Sequence, residues 1–283
     1  AGKGTVLVTG GTGFLGRKVA TELREHGWPV RVIARRMPPY SLRDPGIQYV
    51  VADLADSIPD ELMREVDTVV HCAAETAGGK EAHEVNSVGT TRNILEASAK
   101  AGARKFIHIS SVAVLKTGRD AGGMIDETTP VDVGNIGRGP YVWGKAESEV
   151  VAVRMGREHG ISVKIIRLGP LVDFDAFQAP GRLGREIGNT YVAVGKPKSE
   201  ISLCKVQTAA QVIRKYTEQY KEAPEVLNLV EPTPLTRGEL TQLLLKGRPD
   251  LRVVWLPHFA LKIISAPLML LQKVIFPKNK PID

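Results

Sequence analysis

The chain has 283 residues, 43% of them hydrophobic, and a formal net charge of +7. That apolar content excludes a disordered or fibrous chain and suffices for one large α/β unit, or one domain with a smaller lobe. The 38 Lys and Arg are scattered, with no basic run interleaved with aromatics, so the charge points to a small anion or a lipid surface rather than to nucleic acid.

The first element is an apolar strand over Thr5 to Thr9 that runs straight into Gly10, Gly13 and Gly16, at the spacing G-x-x-G-x-x-G. Arg17, Lys18, Val19, Ala20, Leu23 and Arg24 then keep helical period up to Gly27 and Pro29. A strand, a glycine turn and a helix N-terminus in that order suit the pyrophosphate of a dinucleotide. Gly10 permits the turn, Gly13 lets the backbone approach the phosphates, and Gly16 lets the helix pack close to the strand.

Further β-rich runs follow at Val30 to Ala34, Ile47 to Val51, Thr68 to Cys72, Lys105 to Ile109 and Ser162 to Arg167. Helical patterns lie between most of them, at Gly13 to His26, near Pro59 to Glu65, and over Ala82 to Ala101 and Pro140 to His159. Such alternation predicts a Rossmann-like doubly wound parallel sheet with helices on both faces. After residue 168 the rhythm breaks into Gly- and Pro-containing loops, so 1–168 reads as the dinucleotide-binding domain and 169–283 mainly as a smaller C-terminal substrate lobe. Val226 to Val230 reads as a strand returning to the sheet, and Thr236 with Glu239 as the capping box of a later helix.

Phe259 to Phe276 is strongly apolar but broken by Lys262, Pro267 and Lys273. A spanning helix needs ~20 apolar residues with few charges, so a helix packed on the lobe or on a second copy is expected, with peripheral membrane contact as the alternative. Cys72 and Cys204 are too far apart in pattern to suggest a disulfide framework, and His26, His71, His83, His108 and His159 show no ligand spacing, so no metal is expected. The first strand begins too early for a leader segment, which makes a cytoplasmic location the expectation.

Tyr141 and Lys145 lie four apart on one face of the helix opened by Pro140. An ammonium beside a phenol stabilises the phenolate, so Tyr141 suits general acid and base work near neutral pH. Ser110 and Ser111 end a strand at the sheet's carboxyl edge, where open α/β sheets bind ligands.

Together these segments resemble the extended short-chain dehydrogenase/reductase superfamily, within the NAD(P)-dependent epimerase/dehydratase family. Thr9 to Gly16 is similar to its T-G-x-x-G-x-x-G, and Tyr141 with Lys145 to its Y-x-x-x-K. Ile109 to Val114 resembles its serine segment, and Asn86-Ser87-Val88-Gly89-Thr90 its N-x-x-G-T helix. The resemblance implies Ser111, Tyr141 and Lys145 as catalytic residues. It implies cofactor contacts from Gly10, Thr12, Gly13, Phe14, Leu15, Gly16, Asp53, Leu54, Ala73, Ala74, Glu75, Asn86, Tyr141, Lys145, Gly169 and Pro170. Thr76 and Ser111 would face the substrate, and a homodimer would form through the helices 82–101 and 140–159.

The second strand ends in Arg35 and Arg36 where NAD-preferring sites offer a carboxylate. Guanidinium groups suit a 2′-phosphate, so NADP is expected over NAD. Val112-Ala113 follows Ser111 in place of the Asp-Glu of sugar dehydratases, which argues against elimination of water. Sugar-site signatures of the epimerases are degraded, with Gln207 where Asp is expected, although Arg182, Arg185 and Lys196 could still bind a diphosphate. The closest resemblance is to 3β-hydroxysteroid dehydrogenases and dihydroflavonol reductases, with Trp143, Phe174 and Phe177 lining an apolar pocket for a hydrophobic small molecule. Nucleotide-sugar epimerisation is the alternative, and a non-catalytic NAD(P)-binding role a third.

Overall fold

A computed structural model describes residues 3–118, 124–176 and 183–257. The chain divides into two compact units, the first formed by Ala1–Pro170 with Cys204–Val230, the second by Leu171–Leu203 with Glu231–Asp283. The first unit thus takes back Cys204–Val230 as a whole, where the sequence suggested only the return of a strand.

Six strands of the first unit are β1 (Thr5–Thr9), β2 (Val30–Ala34), β3 (Ile47–Val51), β4 (Val66–His71), β5 (Lys105–Ser111) and β6 (Ser162–Leu168). With the strand Val226–Leu229 they form one seven-stranded sheet, whose order from the late edge is Val226–Leu229, β6, β5, β4, β1, β2, β3. Every pairing in it is parallel. β1 and β4 are neighbours although two strands and a helix separate them in sequence, so the chain reverses its winding there and opens a crevice at their carboxyl ends. All five residues of β2 are buried, Val30, Val32, Ile33 and Ala34 as apolar groups of a sheet covered on both faces and Arg31 through hydrogen bonds to Gln48 and to the Leu62 and Arg64 carbonyls.

The helices are α1 (Phe14–Glu25), α2 (Lys80–His83), α3 (Thr90–Ala101), α4 (Pro140–His159) and α5 (Val206–Glu218). α1 buries Leu15, Gly16, Val19, Ala20 and Leu23, the stripe its period predicts, and Arg214 of α5 bonds Glu22 of α1 at 2.9 Å. α3 and α4 cover a core that joins Leu7, Val69 and Phe106 of the sheet to Ile94, Leu95, Ala152 and Met155.

Two helical expectations need correction. The segment 82–101 is not one α-helix: Glu84–Gly89 winds as a π-helix between α2 and α3. There the Thr90 hydroxyl donates to the Asn86 and Ser87 carbonyls, and that of Thr91 to Ser87, so side chains compete for the oxygens the α-ladder would use. Near residues 59–65 only a short 3-10 turn forms, Asp60–Met63.

In the second unit, Arg252–Leu256 pairs parallel with Thr190–Val194, which pairs antiparallel with Gly184–Ile187. Its helix α6 (Arg237–Leu245) carries the expected capping box, Glu239 N–H donating to the Thr236 hydroxyl at 3.2 Å and Thr236 N–H to the Glu239 carboxylate at 2.8 Å. Val172, Leu183, Ile201, Leu203, Leu240 and Leu244 form its core.

Candidate active site and dinucleotide cradle

The glycine turn lies where β1 meets the crevice. Gly10 has φ +64°, a left-handed conformation open to glycine, and a Cβ there would stand 2.8 Å from the Ala73 nitrogen. Gly13 N–H donates to the Gly10 carbonyl at 3.0 Å, closing the turn. At Gly16 a Cβ would collide with that same carbonyl, so only glycine lets α1 begin this close to β1. Thr12 and Gly13 are exposed, Phe14 is partly buried, and no side chain caps the N-terminus of α1. Its first N–H groups are thus open to phosphate oxygens, and the cradle fits a pyrophosphate. The Leu15 side chain is buried, which leaves only its backbone for such a contact.

Arg35 and Arg36 follow β2 directly and are exposed. Asp53 is exposed, its carboxylate accepting the Ala55 N–H at 2.9 Å, whereas the Leu54 side chain packs in the main core.

α4 delivers Tyr141 and Lys145 to the carboxyl end of β5. Lys145 is buried, its Nζ donating to the Ile109 carbonyl at 2.7 Å, two residues before Ser111. Burial drags its pKa from 10.5 down to about 8, against the pull of Cys72 and Glu149. The Tyr141 ring meets the His83 ring edge-on, 6.3 Å between centroids at 80°. Ser111 ends β5 and its Oγ accepts the Ala113 N–H at 3.2 Å. Beneath it, the Ser110 hydroxyl donates to Glu149 at 2.7 Å, and Glu149 is paired at 2.6 Å with the equally buried Arg167.

Ala73, Ala74 and Glu75 leave β4 beside the glycine turn. Glu75 accepts from Thr76 N–H at 2.9 Å, Ala77 N–H at 3.1 Å and Asn86 Nδ2 at 3.0 Å, and these donors hold its carboxyl below the usual range. Two expected cofactor contacts, Glu75 and Asn86, are therefore bonded to each other, with exposed Thr76 next to them. Gly169 and Pro170 follow β6, Gly169 N–H donating to the Leu229 carbonyl at 2.9 Å.

Trp143 is packed in the main core with Lys80 Nζ 4.9 Å above its ring. Phe174 packs on the core of the second unit, where Arg185 and Lys196 are exposed. Phe177, Arg182 and the apolar segment 259–276 lie outside the described residues. Among the described residues no helix is long and apolar enough to cross a membrane.

His83 was missed by the sequence reading as part of the site. It is buried with Nδ1 unpartnered, and it stands three residues before Asn86, a helical spacing that could have placed it on the same face.

Comparison with known proteins agrees with this geometry. A family model described as "NAD dependent epimerase/dehydratase family" matches residues 6–172. The chain is 30% identical over 182 residues to a dTDP-glucose 4,6-dehydratase of Streptomyces antibioticus, covering 57% of this chain and 52% of that one. It is 33% identical over 172 residues to a putative dihydroflavonol 4-reductase of Synechocystis, covering 58% and 49%, so it spans about half the length of these curated relatives. A solved UDP-glucuronic acid 4-epimerase from Bacillus cereus, in complex with a fluorinated UDP-sugar and NAD, shares the fold with a TM-score of 0.73 at 19% identity, covering 89% of this chain and 86% of that one. With a glycine cradle at β1, a Tyr-Lys pair on α4 and a family match across most of the sheet, the chain belongs to the NAD-dependent epimerase/dehydratase family.

Proposed function

We propose that the protein is an NADP-dependent oxidoreductase that interconverts a hydroxyl and a ketone on a hydrophobic small molecule. The observation that carries this reading is the buried Lys145 one turn from Tyr141, at the strand end that presents Ser111. NADP supplies the hydride acceptor or, reduced, the donor. The chain's own residues handle the proton and the positioning. In the direction of reduction, the Tyr141 phenol gives its proton to the substrate oxygen, and the phenolate left behind is stabilised by the Lys145 ammonium. The Ser111 hydroxyl holds that oxygen in place. Gly10 to Gly16 receive the pyrophosphate, Asp53 the adenine, and Arg35 with Arg36 the 2′-phosphate.

The relatives perform or are named for different reactions, and what favours oxidoreduction here is Val112-Ala113 after Ser111, in place of an acidic pair, together with the two arginines after β2. The test follows NADPH absorbance against a panel of hydrophobic ketones and a panel of nucleotide-diphosphate sugars, with Tyr141→Phe as control. Ketone-dependent oxidation lost in the variant supports the proposal. Sugar interconversion without net cofactor consumption would make the protein an epimerase instead.

A further inference from the structure

His71, the last residue of β4, is buried with both ring nitrogens bonded: Nδ1 to the Thr9 hydroxyl at 2.7 Å and Nε2 to the Thr91 hydroxyl at 3.0 Å. The neighbouring bonds fix which nitrogen carries the proton. Thr91 spends its one hydroxyl proton on the Ser87 carbonyl at 2.8 Å, so toward His71 it can only accept, and Nε2 must be the N–H. A neutral ring then has a bare Nδ1, which accepts the Thr9 proton, and the Thr9 oxygen in turn accepts the Ala73 N–H at 3.2 Å. Burial keeps the ring neutral by driving its pKa to about 3. Each proton in this chain of bonds has one place to go.

The chain of bonds fastens the segment that leaves β4 at two points. Ala73 N–H is tied through Thr9 to the strand that carries the glycine turn. Glu75 N–H is tied at 2.9 Å to the hydroxyl of Ser87, the residue whose carbonyl receives the Thr91 proton. The Glu75 carboxylate then gathers Thr76, Ala77 and Asn86. Thr9 and His71 are 62 residues apart and His71 and Thr91 are 20 apart, so the imidazole joins three elements that local structure would leave independent.

We propose that His71 is a positioning residue: as the Nε2–H tautomer bridging Thr9 and Thr91, it holds residues 73–77 against the glycine turn in the conformation that receives the dinucleotide. The inference rests on the cofactor site proposed above. Its chemistry is preorganisation, the segment being ordered on folding rather than at the expense of binding.

The test removes one hydroxyl with little change of shape, by Thr91→Val, and restores it with Thr91→Ser. Three readouts apply: NADPH affinity by fluorescence transfer from the protein, amide exchange of residues 73–77, and the nitrogen shifts of the His71 ring. Thr91→Val should weaken NADPH binding about tenfold and speed exchange at Ala73 and Glu75, with Thr91→Ser returning both toward the parent. The ring should report Nε2–H in the parent from mildly acidic to alkaline pH. An Nδ1–H ring, or exchange and affinity unmoved in Thr91→Val, would overturn the proposal, as would a loss of melting temperature with NADPH affinity unchanged. A parent protein that binds neither NADPH nor NADH would sink the cofactor reading instead, while exchange at 73–77 still decides whether His71 holds the segment.

Discussion

Substituting Gly144, one position before Lys145, sets two effects of known size against each other. Inside an exposed helix, Gly→Ala stabilises by about 1 kcal/mol through backbone entropy. Gly144 is instead pressed on His83: a Cβ would stand 2.9 Å from the His83 Cβ, 3.0 Å from its Nδ1 and 3.2 Å from its Cγ. His83 is buried and its Cβ is tied to the backbone, so α2 must move away from α4 by a few tenths of an ångström. Overpacking of this kind costs about 1–3 kcal/mol, so Gly144→Ala should be neutral or up to about 2 kcal/mol less stable. Since the His83 ring braces Tyr141 edge-on, turnover should fall further than stability, by about tenfold or more in kcat/KM. Urea unfolding and steady-state kinetics on Gly144→Ala, His83→Ala and the double variant measure both, and the double variant should recover stability relative to Gly144→Ala. An alanine variant stabilised by about 1 kcal/mol with unchanged turnover would refute the reasoning, because propensity alone would then account for it.

Three other perturbations have defined signs. Lys145 has a folded pKa near 8 against 10.5 unfolded, so the unfolded chain binds the proton more tightly and the buried ammonium costs about 3 kcal/mol at neutral pH. Lys145→Met should therefore abolish turnover yet melt higher than the parent below pH 8. The difference should shrink as pH rises from about 8 to 10.5, and a gap that widens over that window contradicts the assignment. Replacing Arg35 and Arg36 with Ser removes charge-assisted bonds of about 1.5–3 kcal/mol each, so NADP affinity should fall by about a hundredfold or more with NAD affinity little changed; titrations showing equal losses for both dinucleotides would exclude a 2′-phosphate contact. Glu149→Gln leaves the Arg167 charge buried without its counter-charge and should cost about 3–5 kcal/mol in urea unfolding, whereas Glu149→Leu with Arg167→Met together should cost less than Glu149→Gln alone.

The sheet was legible because its strands are short β-branched runs whose burial needs no distant information, and β1, β2 and β3 fall on the predicted residues. The Tyr-Lys pair and the glycine turn were legible because each is local, a helical turn or a strand-to-helix junction. What escaped is what depends on partners remote in sequence. The π-helix at Glu84–Gly89 follows from hydroxyl groups competing for carbonyls, which a hydrophobic period does not register. The role of His71 rests on bonds to Thr9 and Thr91, so in the sequence it is simply a histidine in a buried strand. The packing of Trp143 in the main core beneath Lys80 likewise rests on a neighbour remote in sequence.

The seventh strand of the sheet arrives late. Between β6 and Val226–Leu229 the chain leaves to build residues 171–203 before it returns, so ribosomal synthesis exposes β6 as an open edge while that detour is made. Over the same interval α1 awaits α5, whose Arg214 will close on Glu22. An unpaired edge and a helix still lacking its neighbour coexist in that nascent chain, a combination that favours association with other chains. Fragments that stop near residue 170 should share this hazard, because they lack both the strand Val226–Leu229 and α5.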